Sequence, residues 1–212
     1  MKRMIIPMAA LLIIAFCFDV NADDINSTDN STNNTMSGLS GNLTILSADS
    51  VTNLTENNTE LYVLPAVAVA QAVKFTPPRP GWKLMHIIIY GSDGWNQSTM
   101  GPAAPLPFII NILDGQTLEM LYHYSDTQLA FFNNPAGLVE MADIEIPPLS
   151  VEGPFFVCFY GYGKIGVSAE LQNSTGNSYY ITKAPNRQLF GAGITHNGQT
   201  VPVNWLIRAE GF

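Results

Sequence analysis

Three histidines, one cysteine beyond residue 22 and a few short groups of carboxylates are the residues that could do chemistry. His86, His123 and His196 fall far apart, so none stands at H-x-H or H-x-x-x-H spacing and Cys158 has no thiolate partner; the spacing predicts no zinc site. His86 and His123 sit in alternating apolar runs and are expected to be partly buried and hydrogen-bonded, with His196 in a loop. Cys158 lies inside Phe155-Phe156-Val157-Cys158-Phe159-Tyr160, an apolar setting that predicts a small buried hydrophobe rather than a nucleophile. No G-x-S-x-G elbow occurs. The nearest approach to an acid/base pair is Glu140, Asp143 and Glu145. Asp143 and Glu145 would share one strand face about 7 Å apart, and they carry the alternative reading of a secreted hydrolase with paired carboxylates on a sheet face. Solvated acids on the polar side of a strand are the default, so no catalytic residue is assigned.

Gly161-Tyr162-Gly163 and Gly191-Ala192-Gly193 lack the strand-to-helix context of a phosphate cradle and read as turns. No cofactor is assigned. A structural calcium is the one metal the loops could hold, since Asp93, Asp114 and Asp126 flank candidate turns and a hard cation accepts carbonyls beside carboxylates. Aromatic residues offer a stronger lead. Trp82, Trp95 and Tyr162 stand beside Gly and Pro at strand ends or in loops, where an exposed ring can stack on a sugar. Trp205 differs: Val203, Trp205 and Ile207 make one apolar face and predict a core residue.

These residues need a scaffold, and composition says which kinds are excluded. The chain has 212 residues, 47% hydrophobic and 12% charged, with mean hydropathy +0.14; a wholly disordered chain does not have that composition. Nine basic against seventeen acidic residues give a net charge of -8, and no basic run appears, which sets nucleic acid aside as a partner. Residues 1–22 read as a signal peptide: Lys2 and Arg3, then Ile5 to Phe18, then Val20-Asn21-Ala22. That apolar run, interrupted by Pro7, is shorter than the roughly 20 residues of a spanning helix. The expectation is an extracellular or cell-surface protein that meets the membrane only through its export signal. Cleavage would remove Cys17 and leave Cys158 alone, so no intramolecular disulfide is expected.

Residues 23–60 contain 8 Asn, 7 Thr and 6 Ser and no Lys or Arg. Too little apolar surface is available there to offset chain entropy, which predicts a disordered polar stalk, with Leu43 to Leu46 as the one short strand candidate. Sequons begin at Asn26, Asn30, Asn33, Asn42, Asn53 and Asn57, and later at Asn96 and Asn173; they predict glycosylation if the chain is exported. The sequon density resembles that of archaeal cell-surface glycoproteins.

Residues 61–212 read as one domain. Apolar runs of strand length alternate with turn signals: Leu64 to Phe75, Trp82 to Tyr90, Pro107 to Leu113, Leu118 to Tyr124, Val139 to Ile146, Pro154 to Tyr160, Lys164 to Leu171, Ser178 to Thr182 and Val201 to Ala209. Asp114-Gly115 predicts a hairpin, and Pro147-Pro148 is expected to end a strand. Ala72-Val73-Lys74-Phe75-Thr76-Pro77-Pro78, Gly153 to Phe159 and Asn204-Trp205-Leu206-Ile207-Arg208-Ala209 together resemble the jelly-roll β-sandwich modules of secreted prokaryotic proteins. The resemblance implies an all-β fold, a jelly-roll-like antiparallel sandwich of about 8–9 strands, and a non-catalytic role in binding carbohydrate or another surface polymer. Partner proteins and oligomeric state are not specified.

Overall fold

A computed structural model describes residues 43–52, 54 and 59–212. The expected signal peptide, residues 1–22, and the sequons at Asn26, Asn30, Asn33, Asn42, Asn53 and Asn57 lie outside the described residues. The strands are β1 (Thr44–Ser47), β2 (Thr59–Tyr62), β3 (Val69–Phe75), β4 (Trp82–Ser92) and β5 (Pro107–Asp114). They continue with β6 (Met120–Thr127), β7 (Glu140–Val151), β8 (Phe155–Tyr160), β9 (Gly166–Glu170) and β10 (Ser178–Thr182). The short strands β11 (Leu189–Gly191), β12 (Gly193–His196), β13 (Gln199–Pro202), β14 (Asn204–Trp205) and β15 (Ile207–Gly211) complete the chain.

All strand pairs are antiparallel and form two sheets packed face to face, with β12 and β13 as a separate hairpin. One sheet contains the order β2-β9-β4-β7 and the other β3-β8-β5-β6. Apart from the β5–β6 hairpin, the strands from β2 to β10 thus alternate between the two sheets. The C-terminal strands extend this frame: β15 lies along β4 from Ile207 opposite Ile89 to Gly211, which leaves only Gly91 and Ser92 of β4 to pair with β9. Strands β10 and β11 widen the second sheet beyond β3. Glycine is obligatory at 211, where a Cβ would collide with the Lys83 carbonyl and the Trp82 ring.

Period-two alternation decides which side chains are inside. Val73 and Phe75, Ile110 and Ile112, and Phe155, Val157 and Phe159 of the six-stranded sheet meet Ile87, Ile89, Ile144, Val167, Trp205 and Ile207 of the seven-stranded sheet. Phe108 anchors an aromatic cluster there, with edge contacts to Phe131 and Phe132 at 5.7 and 5.3 Å. The intervening residues Ala70, Ala72, Phe156, Cys158, Tyr160 and Ile181 form a second, smaller cluster on the outer face of the six-stranded sheet.

Three expectations are corrected. The stalk does not extend to residue 60: β1 pairs with β15 and β2 with β9. Backbone ladder bonds are indifferent to the polar side chains that composition weighs. Buried polar groups tie this segment down as well. Glu170, fully buried, accepts from the Ser50 hydroxyl and from Asn204 Nδ2 at 2.7 Å, and Thr175 Oγ1 donates to the Ala48 carbonyl at 3.1 Å. Second, β7 runs through Pro147-Pro148. It pairs only with β4, and an edge strand can dispense with those donors; the register slips between Leu84 and His86, where two extra residues of β7 bulge outward. Third, the strands exceed the expected 8–9 because the last third of the chain is cut into short pieces.

Candidate functional site

Of the three aromatic candidates, Trp82 is corrected outright. It is 1% exposed and stacks on Phe155 at 6.2 Å, with Nε1 enclosed and lacking an acceptor. Its position opposite Val151 turns the ring into the space between sheets, which its Pro-Gly neighbours do not reveal. Trp95 is half-buried in the β4–β5 connection, its amide bonded to Asp93 Oδ1 at 2.9 Å and its indole Nε1 to the Gly101 carbonyl at 2.9 Å. These bonds make the ring a brace for its own loop. Tyr162 is half-buried in the β8–β9 turn, which Lys164 closes by donating to the Gly161 carbonyl at 3.0 Å. Among the described residues no ring contact joins Trp82, Trp95 and Tyr162.

Tyr162 has φ +52° and is followed by Gly163 at +70°. A bulky residue in the left-handed region costs roughly 1–2 kcal/mol that glycine would avoid. Its phenol accepts from Lys183 Nζ at 3.0 Å, and that ammonium lies 4.5 Å from the Tyr162 ring centroid and 5.2 Å from that of Tyr160. Around this pair the outer face of the six-stranded sheet is ordered in cross-strand rows. Tyr179, Ala72, Cys158, Asn111 and His123 stand side by side on β10, β3, β8, β5 and β6. His123 is exposed rather than partly buried, with Nδ1 2.8 Å from Asn111 Oδ1. Ala70, Ala72 and Cys158 are fully covered, and Arg187, from the turn after β10, reaches Leu118 across the sheet. Its Nη1 donates to the Leu118 carbonyl at 2.6 Å, and its Nε is enclosed without an acceptor.

Electrostatics set this face apart. Burial pushes the Tyr160 phenol up to about 12, against a lowering pull from Arg187, so it stays a neutral hydrogen-bonding group at physiological pH. Burial likewise pushes the Cys158 thiol far above its ordinary value, which agrees with an inert cysteine. The ion pairs among the described residues are His86–Asp143, His196–Glu60 and Arg208–Asp49. None involves Lys183 or Arg187.

The carboxylates behave differently. Asp143 and Glu145 are exposed on the outer side of β7, and Asp143 Oδ1 is 2.9 Å from His86 Nδ1. Asp93 and Asp114, two of the calcium candidates, each serve a local turn, and the third, Asp126, lies within β6. Asp93 binds the Trp95 amide and Asn133 Nδ2, and Asp126 the Thr127 amide. Asp114 accepts from the Thr117 and Gln116 amides, bonds that hold its carboxyl below the usual range. Among the described residues no three potential ligands cluster around a common metal position. The two described sequons also differ. Asn173 is exposed, while Asn96 is half-buried, its Nδ2 donating to the Ala136 carbonyl at 3.3 Å and its Oδ1 accepting from the Ser98 amide at 2.9 Å.

Of the residues grouped on this face, sequence reasoning named Tyr162 and not Tyr160, Asn111, Lys183 or Arg187. One signal was available. Lys183 and Arg187 are two of only seven basic residues after residue 60 and stand four apart around Pro185. The fold is an antiparallel β-sandwich, and the outer side of its six-stranded sheet carries Tyr162, Lys183 and Arg187. Neither a protein-family model nor a curated protein sequence matches the chain.

Proposed function

We propose that the protein is exported, associates with the cell surface and acts without catalysis, by binding carbohydrate or another surface polymer on the outer face of the six-stranded sheet. The observation that carries this reading is Tyr162: an aromatic ring held at φ +52°, where glycine would be cheaper, beside Lys183, whose ammonium also lies near the Tyr160 ring. Unfavourable backbone conformations persist where a side chain must be presented, and cluster at ligand sites. Flat rings with hydrogen-bonding groups at their margins suit a sugar, whose apolar face stacks while its hydroxyls bond outward; His123, exposed, and Lys183, half-exposed, supply such groups. Hydrolysis by Asp143 and Glu145 has less support, because both acids are exposed and the first is engaged by His86.

The test is titration calorimetry of the purified full-length chain against a panel of neutral and acidic polysaccharides and cell-wall polymers, with and without calcium. At least one polymer should bind, and Tyr162→Gly should weaken it by about tenfold, the loss expected of about 1.4 kcal/mol. The unfolding midpoint should stay in place. Binding unchanged in Tyr162→Gly, or no binding to any polymer, removes the proposal.

A further inference from the structure

We propose that the outer face of the six-stranded sheet selects acidic glycans, polymers bearing carboxylate or sulfate groups, through Arg187 and Lys183. This rests on the binding reading above and names the ligand class within it. The argument begins with charge. The chain is acidic overall, and where its cations are ion-paired the partner is a carboxylate, as Arg208 has Asp49 at 2.6 Å. Lys183 and Arg187 have none, although each is only half-exposed. Lys183 is satisfied by one phenol and two ring faces.

Arg187 is the less satisfied. A guanidinium carries five N–H donors in a planar fork and no acceptor. Here Nη1 meets the Leu118 carbonyl, and among the described residues Nε is enclosed without an acceptor and Nη2 makes no hydrogen bond. A half-buried cation whose only partner is a neutral carbonyl is incompletely compensated. The group it lacks is an anionic oxygen, for which guanidinium is the best-matched side chain.

Geometry places the two cations for one polymer. Lys183 Nζ lies 5.2 Å from the Tyr160 ring centroid, and Arg187 crosses the same face to the Leu118 carbonyl. Lys74, over the Phe156 ring at 5.6 Å, extends the positive character along the same side of β3 and β8. Two acids lie in the adjoining β5–β6 connection, and among the described residues neither pairs with Lys183 or Arg187. Asp114 is turned to the amides of its own turn, and Glu119 is exposed and makes no ion pair among the described residues. A sugar ring over Tyr162 would therefore bring a carboxylate or sulfate toward cations already stripped of much of their water. In that setting a charge-assisted hydrogen bond is stronger than at an open surface.

The experiment compares three probes with the full-length protein: polygalacturonate for carboxylate, dextran sulfate for sulfate, and dextran for a neutral chain. At least one anionic polymer should bind about tenfold or more tighter than dextran and weaken as salt is raised. Which of the two does so identifies the anion. Arg187→Gln and Lys183→Gln should each reduce that affinity by about tenfold, while Lys83→Gln, a control on the opposite sheet, should leave it within about twofold. Unfolding midpoints of all three variants establish that they remain folded, and the two site variants are independent of each other. Equal affinity for dextran and the anionic polymers, or equal losses in Lys83→Gln and Arg187→Gln, overturns the acidic-glycan inference. Tyr162-dependent binding of neutral polymers alone would sink this inference while preserving the binding reading; binding of no polymer at all would sink both.

Discussion

The two outer faces of the sandwich use their charges in opposite ways. On the seven-stranded sheet, Arg208 of β15 donates to both oxygens of Asp49, to the Val51 carbonyl at 2.6 Å and to the Tyr90 phenol, so that the residues after β1 are fastened to the sheet. His86 of β4 meets Asp143 of β7. These charges join strands. On the six-stranded sheet, Lys183 lies over the Tyr160 and Tyr162 rings and Arg187 donates to the Leu118 carbonyl, and neither is ion-paired among the described residues. A paired charge in a sheet face is already part of the fold, whereas an unmatched one retains its capacity to bind something else.

The widest separation between the faces should appear in arginine substitutions. The Asp49 side chain is fully buried, so Arg208→Ala strands a buried carboxylate and should lower the unfolding free energy by about 3–5 kcal/mol. Arg187→Gln removes a cation that has no carboxylate partner and should cost no more than about 1 kcal/mol. Chemical denaturation of both variants measures the difference, and equal costs would erase the distinction between the faces.

Trp82→Ala should also cost about 3–5 kcal/mol, because it opens a cavity beneath both sheets. Tyr162→Gly should be neutral or stabilising in the same assay, since glycine adopts the left-handed conformation freely. The pair separates the ring that builds the core from the ring that is presented.

A smaller effect is expected in alkali. Burial holds Tyr160 and Tyr124 at about 12 in the folded protein, against 10.0 for an ordinary tyrosine. Raised folded pKa values mean that the stabilisation is complete below pH 10 and lost as pH climbs from 10 toward 12, where the unfolded chain ionises first. Denaturation midpoints should fall across that window in step with tyrosinate absorbance. Tyr160→Phe should flatten part of the decline; an unchanged slope would place the Tyr160 phenol in water. Least costly to stability is the labelling of Cys158, fully buried under the six-stranded face. A thiol reagent should react slowly with the native protein and quickly in denaturant, and fast native labelling would mean that Arg187 and the β10–β11 turn do not cover that face.

Much of the fold was legible because period-two alternation is local. The runs that became β3, β5, β8, β9 and β10 were marked by residues two apart, and Asp114-Gly115 does initiate the β5–β6 hairpin. Its connection is longer than two residues, with Leu118 at φ +60°, and that residue's carbonyl meets Arg187. Cys158 and Trp205 are buried as their apolar neighbours implied. Leu43 to Leu46, the one strand candidate of the polar segment, became β1. What escaped was non-local. β2 lies in polar sequence and pairs with β9, and Trp82 is covered by residues about seventy positions away, at Val151 and Phe155.

The amino-acid sequence by itself determined the all-β class, the apolar face of Val203, Trp205 and Ile207 and the burial of Cys158, since each follows from the order of apolar and polar residues along a short stretch. It also marked Tyr162 as an aromatic in a turn. Only the tertiary structure decided that Tyr162, Tyr160, Lys183, Arg187 and Asn111 share one surface. They come from β5, β8 and two different turns, and strand pairing across the sheet, rather than proximity along the chain, brings them together. It decided as well which cations meet a carboxylate: Arg208 faces Asp49 across 159 positions of sequence, and the strength of such a pair depends on distance and burial that exist only once the sheets have closed.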